Sequence, residues 1–234
     1  MTIPSWLNIL AWVSLILALL CAFVIAGDEA RHPQKMWIMD LVWPLTALYA
    51  SVLALWGYFT IGRRMARDAQ HKPRNTGAGN RQGSSPTWQQ IAVSASHCGA
   101  GCMLADILGE NLVFAAGWSL GGQTLYANYA VTLGLAWLLG VAFQYFSIKP
   151  MQQLSSGEAL LQSVKADTLS ILLFQVGMYG WMALVYFVLF PHPHLEPNSP
   201  IFWFMEQIGM LVGFTTTLPV NRWLLQRGIK EAMG

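Results

Sequence analysis

The chain has 234 residues, 55% of them hydrophobic and only 10% charged, with a formal net charge of +2. A soluble domain carries about 25% charged residues, so a soluble globular fold is excluded. The net charge says nothing about nucleic acid, because the basic residues lie in the segments between apolar runs, and no nucleic-acid partner is expected. The apolar runs are about 20 residues long, enough to cross hydrocarbon as helices. The sequence therefore reads as an all-α, polytopic membrane bundle of six transmembrane helices whose first partner is the lipid bilayer.

Span one covers 5–27, almost unbroken Leu, Ile, Ala, Val and Trp. No Lys or Arg precedes it, and it is too long for the apolar part of a signal peptide, so it is expected to be retained. A polar turn over 28–35 leads to span two, 36–62, where Trp37, Trp43, Trp56 and Tyr58 suit interfacial or packing positions. Pro44 is expected to kink this span.

Residues 63–85 are basic and rich in Gly, Ser and Asn, the composition of a mobile cytoplasmic linker. Ser85-Pro86 reads as a helix start, and span three continues to about residue 117. A Gly turn over 118–123 precedes span four, 124–148. Residues 151–167 look too polar for hydrocarbon and are expected to form a cytoplasmic helical lead into span five, 168–190. The Pro-rich loop 191–200 cannot continue a helix, and span six is 201–225. The chain thus divides into a two-helix membrane hairpin (1–62), the linker (63–85) and a four-helix membrane core (86–234).

Lys and Arg set the orientation. Six spans put Arg31 and Lys35 on one face and every other Lys and Arg on the opposite one, so both termini are expected in the cytoplasm, in an inner (cytoplasmic) membrane. Cys21, Cys98 and Cys102 all fall within spans, which is no secreted disulfide framework. No internal repeat is apparent, so an inverted-repeat transporter is not indicated.

Span three carries the polar signal. In a helix Ser94, Cys98, Cys102 and Asp106 follow one another at i+4 and form one stripe. Gly101, Ala105 and Gly109 form a small-residue row beside it, which lets another helix approach closely. Polar groups at membrane depth face the bundle interior, so span three should be central. Thiolates and imidazole suit copper and zinc. His97, Cys98, Cys102 and Asp106 are therefore the candidate metal ligands, with His97 about 100° off the stripe and joining only if Gly99 or Gly101 loosens the helix. Copper is the most plausible metal, and its binding or translocation the first functional reading.

Other readings remain open. The same residues suit packing and hydrogen bonding in a solute or proton pathway using Asp106 and Glu110, or in a helical partner subunit. A Cys98–Cys102 redox pair is a further alternative, although i,i+4 Cα atoms stand at the long end for a disulfide. Met178 and Met182, also i,i+4, and Met103, Met205 and Met210 are a second pool of soft ligands or simple gap fillers. His192 and His194 in the loop can capture metal or stay solvated. Asp40 and Glu110 are expected near an interface and Glu206 near the outer surface, with Gln144 and Gln175 bonding between helices. No phosphate loop, nucleophile elbow, dinucleotide fingerprint or HExxH is present, so no enzyme class is indicated.

The segments HCGAGCMLAD (97–106), AFQYFSIKPM (142–151), KADTLS (165–170), GMYGWMAL (177–184) and LPVNRWLLQRGIKEAM (218–233) resemble the bacterial, archaeal and fungal membrane family catalogued as domain of unknown function 4396. The resemblance covers roughly 86–233 and implies a multispan helical fold with a His-Cys-x3-Cys hallmark, with spans one and two as an amino-terminal extension. It implies no activity.

Overall fold

The computed structural model describes residues 4–34, 36–63, 85–152 and 155–230. The linker expected at 63–85 falls, apart from Arg63 and Ser85, outside the described residues. The described chain is helical: α1 (Ser5–Glu29), α2 (Met39–Gly57, extended by a π-turn over Tyr58–Gly62), α3 (Trp88–Ala116), α4 (Thr124–Gln152), α5 (Ser156–Leu184, extended by a π-turn over Val185–Leu189) and α6 (Pro200–Gln226). Six helices are long and apolar enough to cross a membrane.

Local sequence sets the helix ends. Thr87, rather than Ser85, caps α3, with Gln90 returning a bond to the Thr87 backbone. Ser155 and Glu158 make the same reciprocal cap on α5. The segment 156–167 is helical, as expected, and runs on into span five as the first three turns of α5. Its polar residues are spent on the cap and on the bundle interior, as described below. Gly117 ends α3 in the left-handed region (φ 64°), and Gly121 and Gly122 (φ 59° and 79°) complete the turn expected at 118–123.

α3 is the central helix. In its most apolar stretch 78% of residues are buried, against 22% for α1, whose Trp6, Trp12 and Phe23 face outward. α3 packs on α2, α4, α5 and α6. The small-residue row does what its spacing implies: a Cβ on Gly101 would meet the Gly140 backbone of α4 at 3.2 Å, and Gly109 lies against Thr132.

α2 is bent double. Ser51 has φ 44° and ψ −117°, outside any helix. Residues 43 and 62 of a straight helix would stand about 28 Å apart, yet the Trp43 ring lies against Gly57, Gly62 and Tyr58. Both arms therefore start and finish at the same end of the bundle. Asp28 at the end of α1 accepts a hydrogen bond from Tyr58 and pairs with Arg63, fixing that end. The break falls at Ser51 and not at Pro44, through which the helix continues. Broken backbone at membrane depth requires partners within the protein, and Gln207 of α6 provides one by donating to the Leu48 carbonyl at 2.7 Å. The Gln207 carbonyl oxygen accepts from Ser14 of α1 at 2.7 Å, so one amide ties three helices.

Two ends can now be defined. The proximal end holds the starts of α3 and α5, the ends of α4 and α6, and both feet of α2. The distal end holds the opposite termini. Leu7 and Ala11 of α1 pack with Met182, Val185, Ile201 and Phe202, so α1 begins at the distal end. The folded α2 returns to the end it left, and α1 starts at the end opposite to where α6 finishes.

Candidate functional site

The α3 stripe faces inward, and the helix runs unbroken through Gly99 and Gly101. Ser94, His97, Cys98, Cys102 and Asp106 are all fully buried. They do not share one environment. His97 points at α4, its Nε2 3.0 Å from the Ser147 hydroxyl and its ring edge-on to Phe143. Because the helix is not loosened, His97 stays off the stripe. Among the described residues no group of three or more His, Cys, Asp or Glu is arranged to hold a metal ion.

At the proximal side Cys98 joins residues from two other helices and the chain beyond α6. Its thiol donates to Asp167 Oδ1 of α5 at 3.2 Å. Lys230 Nζ lies 2.6 Å from the same oxygen, 3.1 Å from Asn221 Oδ1 and 3.5 Å from Cys98 Sγ. Both side chains of the Asp167–Lys230 ion pair are wholly buried. Ser94 and Ser170 also donate to Asn221 Oδ1, at 3.0 and 3.1 Å. The Asn221 amide nitrogen is anchored on Thr217, which aims its oxygen at the lysine. Burial alone would push the Lys230 ammonium down, but Asp167 and Cys98 outweigh it and hold the group above its ordinary value.

Lys230 gets there through a turn. Gly228 adopts φ 65°, and the Ile229 and Lys230 amides donate back to the Leu224 carbonyl. This is the reversal a left-handed glycine allows at a helix end.

Midway along the stripe, Cys102 lies beside the buried Tyr49 at the α2 tip. Gly99 makes room for that tip, since a Cβ there would strike the Tyr49 hydroxyl. Cys98 and Cys102 are free thiols in one buried cluster with the side chains of Met103, Met178 and Met210. Met182 and Met205 belong to a different cluster, nearer the distal end.

The distal side is acidic. Asp106 lies within electrostatic reach of Glu206 and Glu110. Asp106 and Glu206 have no hydrogen-bond partner on either carboxyl oxygen among the described residues, and Glu110 has none on one. Glu206 is 1% exposed and faces the bundle interior toward the distal end. It sits two turns inside α6, which is deep enough to reach the interior. Tyr129 and Tyr179 stack at 4.0 Å, and the Tyr179 hydroxyl meets Thr132 at 2.7 Å, making a polar wall near Asp106. Glu110 and Asn128 line a cavity of about 290 Å³ at the distal end, together with Tyr129, Tyr186, His194 and Glu196.

The remaining candidates sit apart. His194 stacks on Tyr186 at 3.7 Å and bonds the Phe190 carbonyl, and His192 lies 5.5 Å from the His194 ring. Among the described residues, Gln144 and Gln175 have no hydrogen-bond partner for their amides, so the expected bonds between helices are not made there. Asp167, Asn221 and Lys230 were not singled out from sequence. The signal for Asp167 was the row Ser163, Asp167, Ser170 and Phe174 at i+4, i+3 and i+4, one buried face of α5.

Apolar helices around a buried polar column define a multi-pass α-helical membrane protein. The chain belongs to the family described as Domain of unknown function (DUF4396), whose model matches residues 87–230. That span takes in the whole column, including Asp167, Asn221 and Lys230. No curated protein and no solved structure matches the chain.

Proposed function

We propose that this protein is a membrane conduit for a small cation, a proton in the first instance, running beside α3 from the distal cavity to the Cys98–Asp167 site. The observation that carries this reading is the set Asp106, Glu110 and Glu206: buried carboxyls without a counter-charge among the described residues, one of them lining a cavity. Ionisable groups at membrane depth are costly and mark ion paths or proton relays. A buried carboxyl without a counter-charge must carry a proton or have a cation beside it.

The test is flux in liposomes holding the purified protein, driven by a potassium diffusion potential and read by an internal pH dye. Asp106→Asn is expected to slow proton entry by about tenfold or more, equivalent to about 1.4 kcal/mol on the barrier. Val176→Ala, on the exposed face of α5, should leave it unchanged. Wild-type liposomes no leakier than empty ones would end the proposal.

The proposed sidedness rests on the connections. With α2 returning to the end it left, the described basic residues Arg31, Arg63, Lys149, Lys165, Arg222, Arg227 and Lys230 are assigned to the proximal end. The proximal end is then cytoplasmic by the positive-inside rule, in an inner membrane, and the amino terminus lies on the far face. An amino-terminal epitope tag should be reached by an impermeant antibody on spheroplasts, and a carboxyl-terminal tag only after permeabilisation. Protection of both tags would show that α2 crosses.

A second reading, binding or passage of copper or zinc, is supported by the sulfurs of Cys98, Cys102, Met103, Met178 and Met210 in one buried cluster; soft ligands select such metals. Elemental analysis of purified protein should then find metal in wild type and lose it in Cys98→Ser/Cys102→Ser. Equal, near-zero metal in both would exclude it.

A further inference from the structure

The proximal site has the form of a cation receptor with its own cation tethered inside. An ammonium has three donors, and the Lys230 ammonium meets three acceptors: Asp167 Oδ1, Asn221 Oδ1 and Cys98 Sγ. The acceptors come from α3, α5 and α6, whereas the lysine arrives on the turn beyond α6. The cradle is organised independently of the lysine backbone. Thr217 sets the Asn221 amide, and Ser94 and Ser170 converge on the same oxygen. Asp167 is wholly buried, yet its Oδ2 has no partner among the described residues. One carboxylate, with a thiol donating to it, balances a single positive charge.

We infer that Asp167, Asn221 and Cys98 form a binding site for a small monovalent cation, ammonium-like in size, and that Lys230 fills this site as a tethered competitor. When the turn at Gly228 opens, the ammonium leaves and a free cation takes its place. The site stands where the column reaches the proximal end, so the lysine also acts as its stopper. The inference concerns binding and is tested without flux, so it can fail while the conduit reading stands, and the reverse.

The first experiment uses the purified full chain in detergent. Lys230→Ala should unfold at a lower temperature than wild type. Methylammonium or potassium chloride should raise its midpoint by several degrees in a saturable way, while tetramethylammonium chloride at equal ionic strength should not. Lys230→Ala/Asp167→Asn should show no saturable rise. The second experiment needs no variant: acylation of Lys230 in wild type, followed by mass spectrometry, should speed up with potassium chloride and not with tetramethylammonium chloride. Absence of rescue in a folded Lys230→Ala, an equal rise in the double variant, or an acylation rate indifferent to potassium would each overturn the site. Should Lys230→Ala not fold, the acylation result alone decides.

Discussion

Lys230→Met and Asp167→Asn, each alone, are expected to cost about 3–5 kcal/mol of stability, because each strands the other partner in a place without water. The pair lies at 2.6 Å with both side chains wholly buried. The double replacement Asp167→Leu/Lys230→Met should cost much less than the sum, since apolar groups of similar volume remove the desolvation penalty together with the attraction. Equilibrium unfolding in detergent, arranged as a double-mutant cycle, gives the coupling directly. Additive losses would mean that the two residues act separately and that the contact is unimportant in solution. The cycle also has a local control. Ser170→Ala removes one of several donors to Asn221 Oδ1 and should cost about 1 kcal/mol, an ordinary hydrogen bond.

The second large effect concerns backbone approach. A Cβ on Gly213 would fall 2.7 Å from the Phe174 carbonyl and from its ring, so α6 cannot keep its place beside α5 with any side chain there. Gly213→Ala is expected to cost about 1–3 kcal/mol through overpacking, and Gly213→Val more. Gly134 of α4 meets nothing within 4 Å. There the same change should be neutral or gain up to about 1 kcal/mol of helix propensity. Thermal unfolding of the two alanine variants side by side checks the contrast. Equal shifts would show that helix approach at Gly213 does not limit stability.

How much of this was legible depends on what kind of information each feature uses. Hydropathy is a one-dimensional quantity, and it located every apolar helix. The i+4 spacing placed Ser94, Cys98, Cys102 and Asp106 on one inward stripe, and the small row correctly marked the face that α4 approaches. Hydropathy does not register a reversal inside an apolar run. Ser51 is neither Gly nor Pro, and nothing in its neighbours signals positive φ.

Lys230 was hidden for another reason. A lysine in a polar tail reads as solvated, and only the left-handed Gly228 turn, a three-dimensional event, carries it inward. Asp167 was hidden by its neighbours, because Glu158 and Lys165 made the whole segment look too polar to enter the membrane.

The fold of α2 also carries a statement about time. Its Leu48 carbonyl, which lies just ahead of the break at Ser51, is satisfied by Gln207, a residue 159 positions later in the chain. The same amide accepts from Ser14 of α1 at a separation of 193. In a chain made from its amino terminus, neither bond can form until α6 has been synthesised. α1 and α2 are made first, yet they wait for the last helix to complete their bonds, and the molecule closes from its end back to its beginning.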